Sequence, residues 1–142
     1  MGERAKQCSV LCLNPTEARW PHRALLEASG FRVTELREWP EDENAVLAYE
    51  VFIVRVRSAD GAPMLAARLR AKPRFGRRVL VAIVPESVAL EDRQSARASG
   101  FDEVLTEGCE GRELVARILR RLRTRPEYQC VLPPAHRRSS AA

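Results

Sequence analysis

Three stretches of the chain are apolar almost without interruption: CSVLCL at 8–13, VFIVRV at 51–56 and VLVAIV at 79–84. Continuous rather than alternating hydrophobicity suits central strands of a parallel sheet that is covered on both faces. FRVTELRE, from Phe31, alternates apolar and polar residues, and FDEVLT, from Phe101, reads as another short strand. Between these five runs lie stretches of helical length at Pro21–Ser29, Asp42–Ala48, Pro63–Ala71 and Val88–Ala98, with Asp42–Ala48 the weakest. The final one, Arg112–Arg123, is the clearest: Leu114, Val115, Ile118, Leu119 and Leu122 recur at helical spacing. Glu110 and Glu113 stand near its positive end, arginines near the other, and Pro126 stops it.

Strand and helix therefore alternate five times. With right-handed crossovers this predicts an α/β fold: a five-stranded parallel sheet of flavodoxin-like order 2-1-3-4-5, with helices on both faces. Pro21 sets the start of the first helix. A helix begun at Thr16 would carry the proline past its first turn at a cost of about 3 kcal/mol, whereas a start at Pro21 avoids this.

The tetrapeptide ASGF occurs at Ala28–Phe31 and again at Ala98–Phe101, seventy residues apart, with flanks that do not match. It is no internal repeat. In both places a helix runs into a glycine cap and a strand follows, so the same junction is written twice.

Length and composition narrow the class. The 142 residues are 45% apolar, enough for one core. The expected organisation is an N-terminal arm at 1–7, a domain at 8–124, and a Pro- and Ser-rich extended or disordered tail at 125–142. No run of eighteen apolar residues exists, and MGERAK lacks an apolar signal region, so a soluble cytoplasmic protein with no membrane partner is expected. The net charge of +5 rests on 22 Arg against 2 Lys. Arginine suits bidentate contact with carboxylate or phosphate, although a GC-rich coding sequence produces the same bias.

Metal and nucleophile chemistry find little support. The four cysteines form no C-x-x-C pair and only two histidines accompany them, so neither metal nor cofactor is expected. Cys8 and Cys12 read as buried free thiols. Cys109, at the start of the last helix, has the position of a thiol with a lowered pKa, or of an inert one.

The early segment LLEASGFRVTELRE, the segment RVRSADGAPMLAARLR and the late segment SARASGFDEVLTEGCEGRELVARILRRLR together resemble a response-regulator receiver domain over roughly residues 8–124. That resemblance implies an acidic magnesium-binding pair after strand one, a phosphoacceptor aspartate after strand three, a hydroxyl after strand four and a Lys-Pro after strand five. Laid onto this chain, the acidic pair becomes Asn14 and Pro15, or Leu13 and Asn14. The acceptor becomes Arg55, the hydroxyl becomes Val84 or Pro85, and the Lys-Pro becomes Glu107 and Gly108. An arginine cannot attack phosphorus, and Asn-Pro offers magnesium no anionic ligand. Acceptor and lysine have in effect exchanged charge, so an ion pair between Arg55 and Glu107 is expected, or else two solvated residues at the mouth of a degenerate cleft.

The expected function is that of a pseudo-receiver, a phosphorylation-independent and non-enzymatic protein-interaction module in bacterial signalling. The last two helices and strand five would offer Leu90, Arg93, Arg97, Arg117 and Arg121 to a protein partner, a second copy included. The alternative is a nucleic-acid-binding regulator. RLRAKPRFGRR at 68–78 places Arg68, Arg70, Lys72, Arg74, Arg77 and Arg78 in a stretch that no acidic residue interrupts between Gly61 and Pro85. Flavin and nucleotide sites lack their glycine-rich phosphate loops.

Overall fold

In the computed structural model, which describes residues 7–15, 20–56, 70–71 and 78–131, the three unbroken apolar runs lie side by side. They form β1 (Ser9–Leu13), β3 (Val51–Arg55) and β4 (Val79–Val84). The more polar β2 (Arg32–Leu36) and β5 (Glu103–Thr106) take the two edges. The order is β2-β1-β3-β4-β5 and every pairing is parallel. All six residues of β4 are buried, as a strand covered on both faces requires.

Alternation along the strands divides the core in two. Val10, Cys12, Val51, Ile53, Val79, Val81 and Ile83 pack on one face with Leu26 of α1 (Arg23–Ala28) and with Leu114, Ile118 and Leu122 of α3 (Gly111–Arg123). Leu11, Phe52, Val54, Leu80, Ala82 and Val84 pack on the other with Ala96 of α2 (Leu90–Ala98). The two ASGF junctions serve one face each. Gly30 and Gly100 both hold positive φ, 99° and 133°, and the following Phe31 and Phe101 plug opposite core layers. Ser29 and Ser99 return their hydroxyls to the helix carbonyls of Leu25 and Ala96 at 2.7 Å.

Three expectations change. Asp42–Ala48 does not form an α-helix. Glu43–Val46 makes a single 3-10 turn, because the Asp42 carboxylate accepts the Asn44 amide at 3.0 Å and holds a local turn instead. The first helix starts at Arg23, with Pro21 and His22 in a turn ahead of it. The chain after Arg125 is not extended at its start: Pro126–Val131 form a 3-10 segment whose Tyr128 is buried against the first core layer. The expected helix at Pro63–Ala71 lies outside the described residues apart from Arg70 and Ala71. Among the described residues no helix is long and apolar enough to cross a membrane.

Candidate functional site at the carboxyl ends of the strands

A parallel sheet brings the carboxyl ends of its strands to one rim, and the crevice there is where doubly wound folds place their chemistry. Asn14 follows β1, Arg55 ends β3 and Glu107 follows β5. The structure brings these three together. The Arg55 guanidinium donates from Nε to Glu107 Oε1 and from Nη2 to Glu107 Oε2, both at 3.1 Å, in a bidentate fork. Its Nη1 donates to Asn14 Oδ1 at 3.1 Å. The Arg55 side chain is 11% exposed and that of Glu107 34%, so the pair closes the crevice with the arginine inward.

The network continues across the rim. Asn14, itself buried, donates its Nδ2 to Glu35 Oε2 at 3.3 Å, and Arg23 Nη1 donates to the other Glu35 oxygen at 3.4 Å. Arg23 also donates to Glu27 at 2.6 Å and to the Val33 carbonyl at 3.3 Å. A belt of alternating charge thus ties β5 to β3, β1, β2 and α1. His22 sits edge-on to the buried Trp20 at 5.9 Å between ring centres. Burial pushes its imidazole below the usual value, against the upward pull of Glu107.

Val84 is fully buried, while Pro15 and Pro85 are half-buried. Gly108 donates its amide to Glu86 Oε1 at 2.6 Å, and a Cβ at position 108 would collide with that same oxygen. The set does not fit magnesium. Its centre is a guanidinium, and its nearest carboxylate is already tied to it. Among the described residues no group of three or more His, Cys, Asp or Glu has the arrangement to hold a metal ion. Burial raises the Cys109 thiol, and Glu113, Glu107 and Glu86 add to the rise, so of the two readings offered for it the lowered value is set aside. Burial likewise pushes Cys12 up to about 12.

A second constellation occupies the β5 edge. Glu103 is wholly buried, and four arginines converge on its carboxylate: Arg120 at 2.8 Å, Arg121 at 3.0 Å, Arg117 at 3.2 Å and Arg97 at 3.7 Å. Burial alone would raise this carboxyl. Hydrogen bonds from Arg120 and Arg121, with the charges of Arg121 and Arg117, outweigh it and hold the group below its ordinary value. The sequence reading placed Arg97, Arg117 and Arg121 on this surface but missed Glu103 and Arg120. The signal was present: Glu103 stands two residues before the buried Leu105 and so shares its inward face. Leu90 and Arg93 lie apart from the cluster, lining a neighbouring groove with Gln94, Arg97 and Val104.

The basic stretch is partly turned inward. Arg70 donates to the carbonyls of Gly100 and Arg78, each at 2.9 Å, and to Asp102 Oδ2 at 2.8 Å. Arg78 donates to Tyr128 Oη and to the Leu47 carbonyl, each at 2.9 Å. Both are thereby withdrawn from a phosphate-binding patch. Arg68, Lys72, Arg74 and Arg77 lie outside the described residues.

No protein-family model matches the chain, and no curated protein matches it in sequence. Solved structures do. An orphan response regulator of H. pylori superposes with a TM-score of 0.65 at 21% identity, over 82% of this chain and 97% of its own. A response regulator from Thermotoga maritima matches at 0.65 and 15% identity, over 81% and 97%. The chain has the receiver fold. An atypical orphan response regulator, described as revealing a phosphorylation-independent regulatory mechanism, also matches at 0.67 and 20% identity, over 81% and 95%. In this chain the carboxyl end of β3, on that rim, is Arg55.

Proposed function

We propose that this chain is a pseudo-receiver, a non-enzymatic interaction module that works without phosphorylation and acts through its surfaces on a protein partner. One observation carries the reading: the Arg55 guanidinium, at the end of β3 where the receiver resemblance would put an acceptor aspartate, is forked onto Glu107 and bonded to Asn14. Phosphoryl transfer to a carboxylate needs a nucleophile and a cation that offsets the phosphoryl charge. A guanidinium is no nucleophile, and its fixed positive charge repels a divalent ion from the same place. Both requirements therefore fail at once. The likeness in fold to an orphan and an atypical regulator supports a regulatory setting of this kind.

Incubation of the purified chain with acetyl phosphate and magnesium tests the reading. Intact-mass spectrometry should find no phosphoryl adduct, and the thermal transition should not move. A stoichiometric, magnesium-dependent adduct on any carboxylate would overturn it.

A further inference from the structure

The β5 edge carries more guanidinium than the carboxylate beneath it satisfies. A carboxylate offers about four acceptor positions, against roughly five donors on each guanidinium. Glu103 is shared by Arg97, Arg117, Arg120 and Arg121; Arg117 turns a second nitrogen to Glu113 at 3.2 Å, and Arg121 a second to the Asp102 carbonyl at 2.8 Å. Arg97 and Arg120 remain 57% and 59% exposed. Arg93 has a buried Nε with no hydrogen-bond partner. Four arginines thus share two glutamates in this cluster, a surplus of two positive charges, and Arg93 stands in the groove beside it.

Beside the cluster, Leu90, Arg93, Gln94, Arg97 and Val104 line a shallow groove of about 220 Å³. Positions 90, 93, 94 and 97 share one side of α2. Leu90, at its end, is 59% exposed, the one large apolar side chain so open among the described residues.

We propose that this face docks an acidic segment of a partner protein. Its carboxylates would meet Arg93, Arg97 and Arg120, and an apolar side chain would lie against Leu90 and Val104. The inference rests on the interaction-module reading and adds the partner's chemistry. Charge decides between occupants. A second copy would bring the same positive surplus to a two-fold axis and be repelled. A phosphate backbone would leave the apolar side chains of Leu90 and Val104 without a counterpart, whereas an amphipathic acidic peptide meets both them and the arginines.

The test is fluorescence anisotropy with a synthetic amphipathic helix that bears Glu and Leu on one face. A Lys-for-Glu version and a random DNA duplex serve as competing probes. The acidic peptide should bind saturably and release with added salt. The Arg97→Glu/Arg120→Glu double variant should weaken it about tenfold or more, as two reversed contacts require. Arg112→Glu, on the other flank of α3 beside Leu25, should leave binding unchanged. If the double variant fails to fold, Leu90→Asp should give the same loss. Binding undiminished in these variants, tighter binding of the duplex, or self-association abolished by the double reversal would each overturn the proposal. Each titration is repeated with acetyl phosphate and magnesium. Peptide binding that appears only after phosphoryl transfer overturns the phosphorylation-independent reading and leaves the docking face standing. No binding under either condition, on an unphosphorylated chain, overturns the docking face alone.

Discussion

Reversing one charge of the Arg55–Glu107 fork should harm the fold far more than reversing both. Two unit charges about 4 Å apart interact by about 4 kcal/mol at the effective dielectric near a protein surface. Arg55→Glu turns that attraction into repulsion and removes the donor to Asn14 Oδ1. Arg55 is held inside, with 11% of its side chain exposed, while Glu107 has about a third of its own in water and can swing away. Relaxation therefore trims the loss to about 2–3 kcal/mol, below that of a fully buried broken pair. In a domain of this length, that lowers the melting temperature by roughly 6–12 °C. Glu107→Arg alone should cost about as much, since it confronts the inner guanidinium with another. The exchanged pair regains the attraction but not the bond to Asn14 Oδ1, so recovery is partial, with a coupling of about 1.5–3 kcal/mol. Urea unfolding of the four proteins, followed by far-ultraviolet circular dichroism, closes the cycle. Single losses that add to the double loss within about 0.5 kcal/mol would refute the reasoning.

Other perturbations probe the rest of the molecule. Glu103→Gln leaves four guanidiniums without their shared counter-charge and should cost about 1–3 kcal/mol by denaturant titration, because all four arginines are a third or more exposed and keep water around them. Because the folded Glu103 carboxyl lies below its ordinary value, its stabilisation is present above the unfolded-state pKa and is lost as pH falls through the folded one; the Gln variant should show a flatter acid limb. Tyr128→Phe removes the acceptor for Arg78 and should cost about 1–2 kcal/mol. A cut after Arg125 should destabilise by more, because the buried ring goes too. Gly30→Ala forces a side chain to φ 99° and should cost about 1–2 kcal/mol in the same assay, while Glu27→Ala nearby serves as the mild control. Cys8 and Cys12, both buried with thiols pushed upward first by desolvation, should resist a disulfide reagent until the protein unfolds.

The strands were legible because burial on both faces leaves an unbroken apolar run, and VLVAIV at 79–84 became a strand with those same limits. The strand order followed from handedness once helices separated the runs. Asp42–Ala48 was misread because a side-chain oxygen competing for one amide is invisible to periodicity. The opposite charges of Arg55 and Glu107 were visible only once the strand ends were placed on a common rim; Asn14 as their third partner depended on side-chain reach. The inward place of Glu103 was readable from its spacing to Leu105 in FDEVLT, but what neutralises it was not. Its burial is made tolerable by arginines at 117, 120 and 121, more than a dozen residues on, and no local pattern reports that. Tyr128 carried no signal either, since its place is set by Arg78 from another element.

The carboxylate under the β5 edge is a hub with four spokes, and the two kinds of position differ in robustness. Drop any one spoke and three remain to neutralise the hub, so drift at 97, 117, 120 or 121 is absorbed. Drop the hub and all four spokes lose their common counter-charge at once. The edge therefore has a single point of failure at residue 103, beneath a rim whose chemistry is free to vary one arginine at a time.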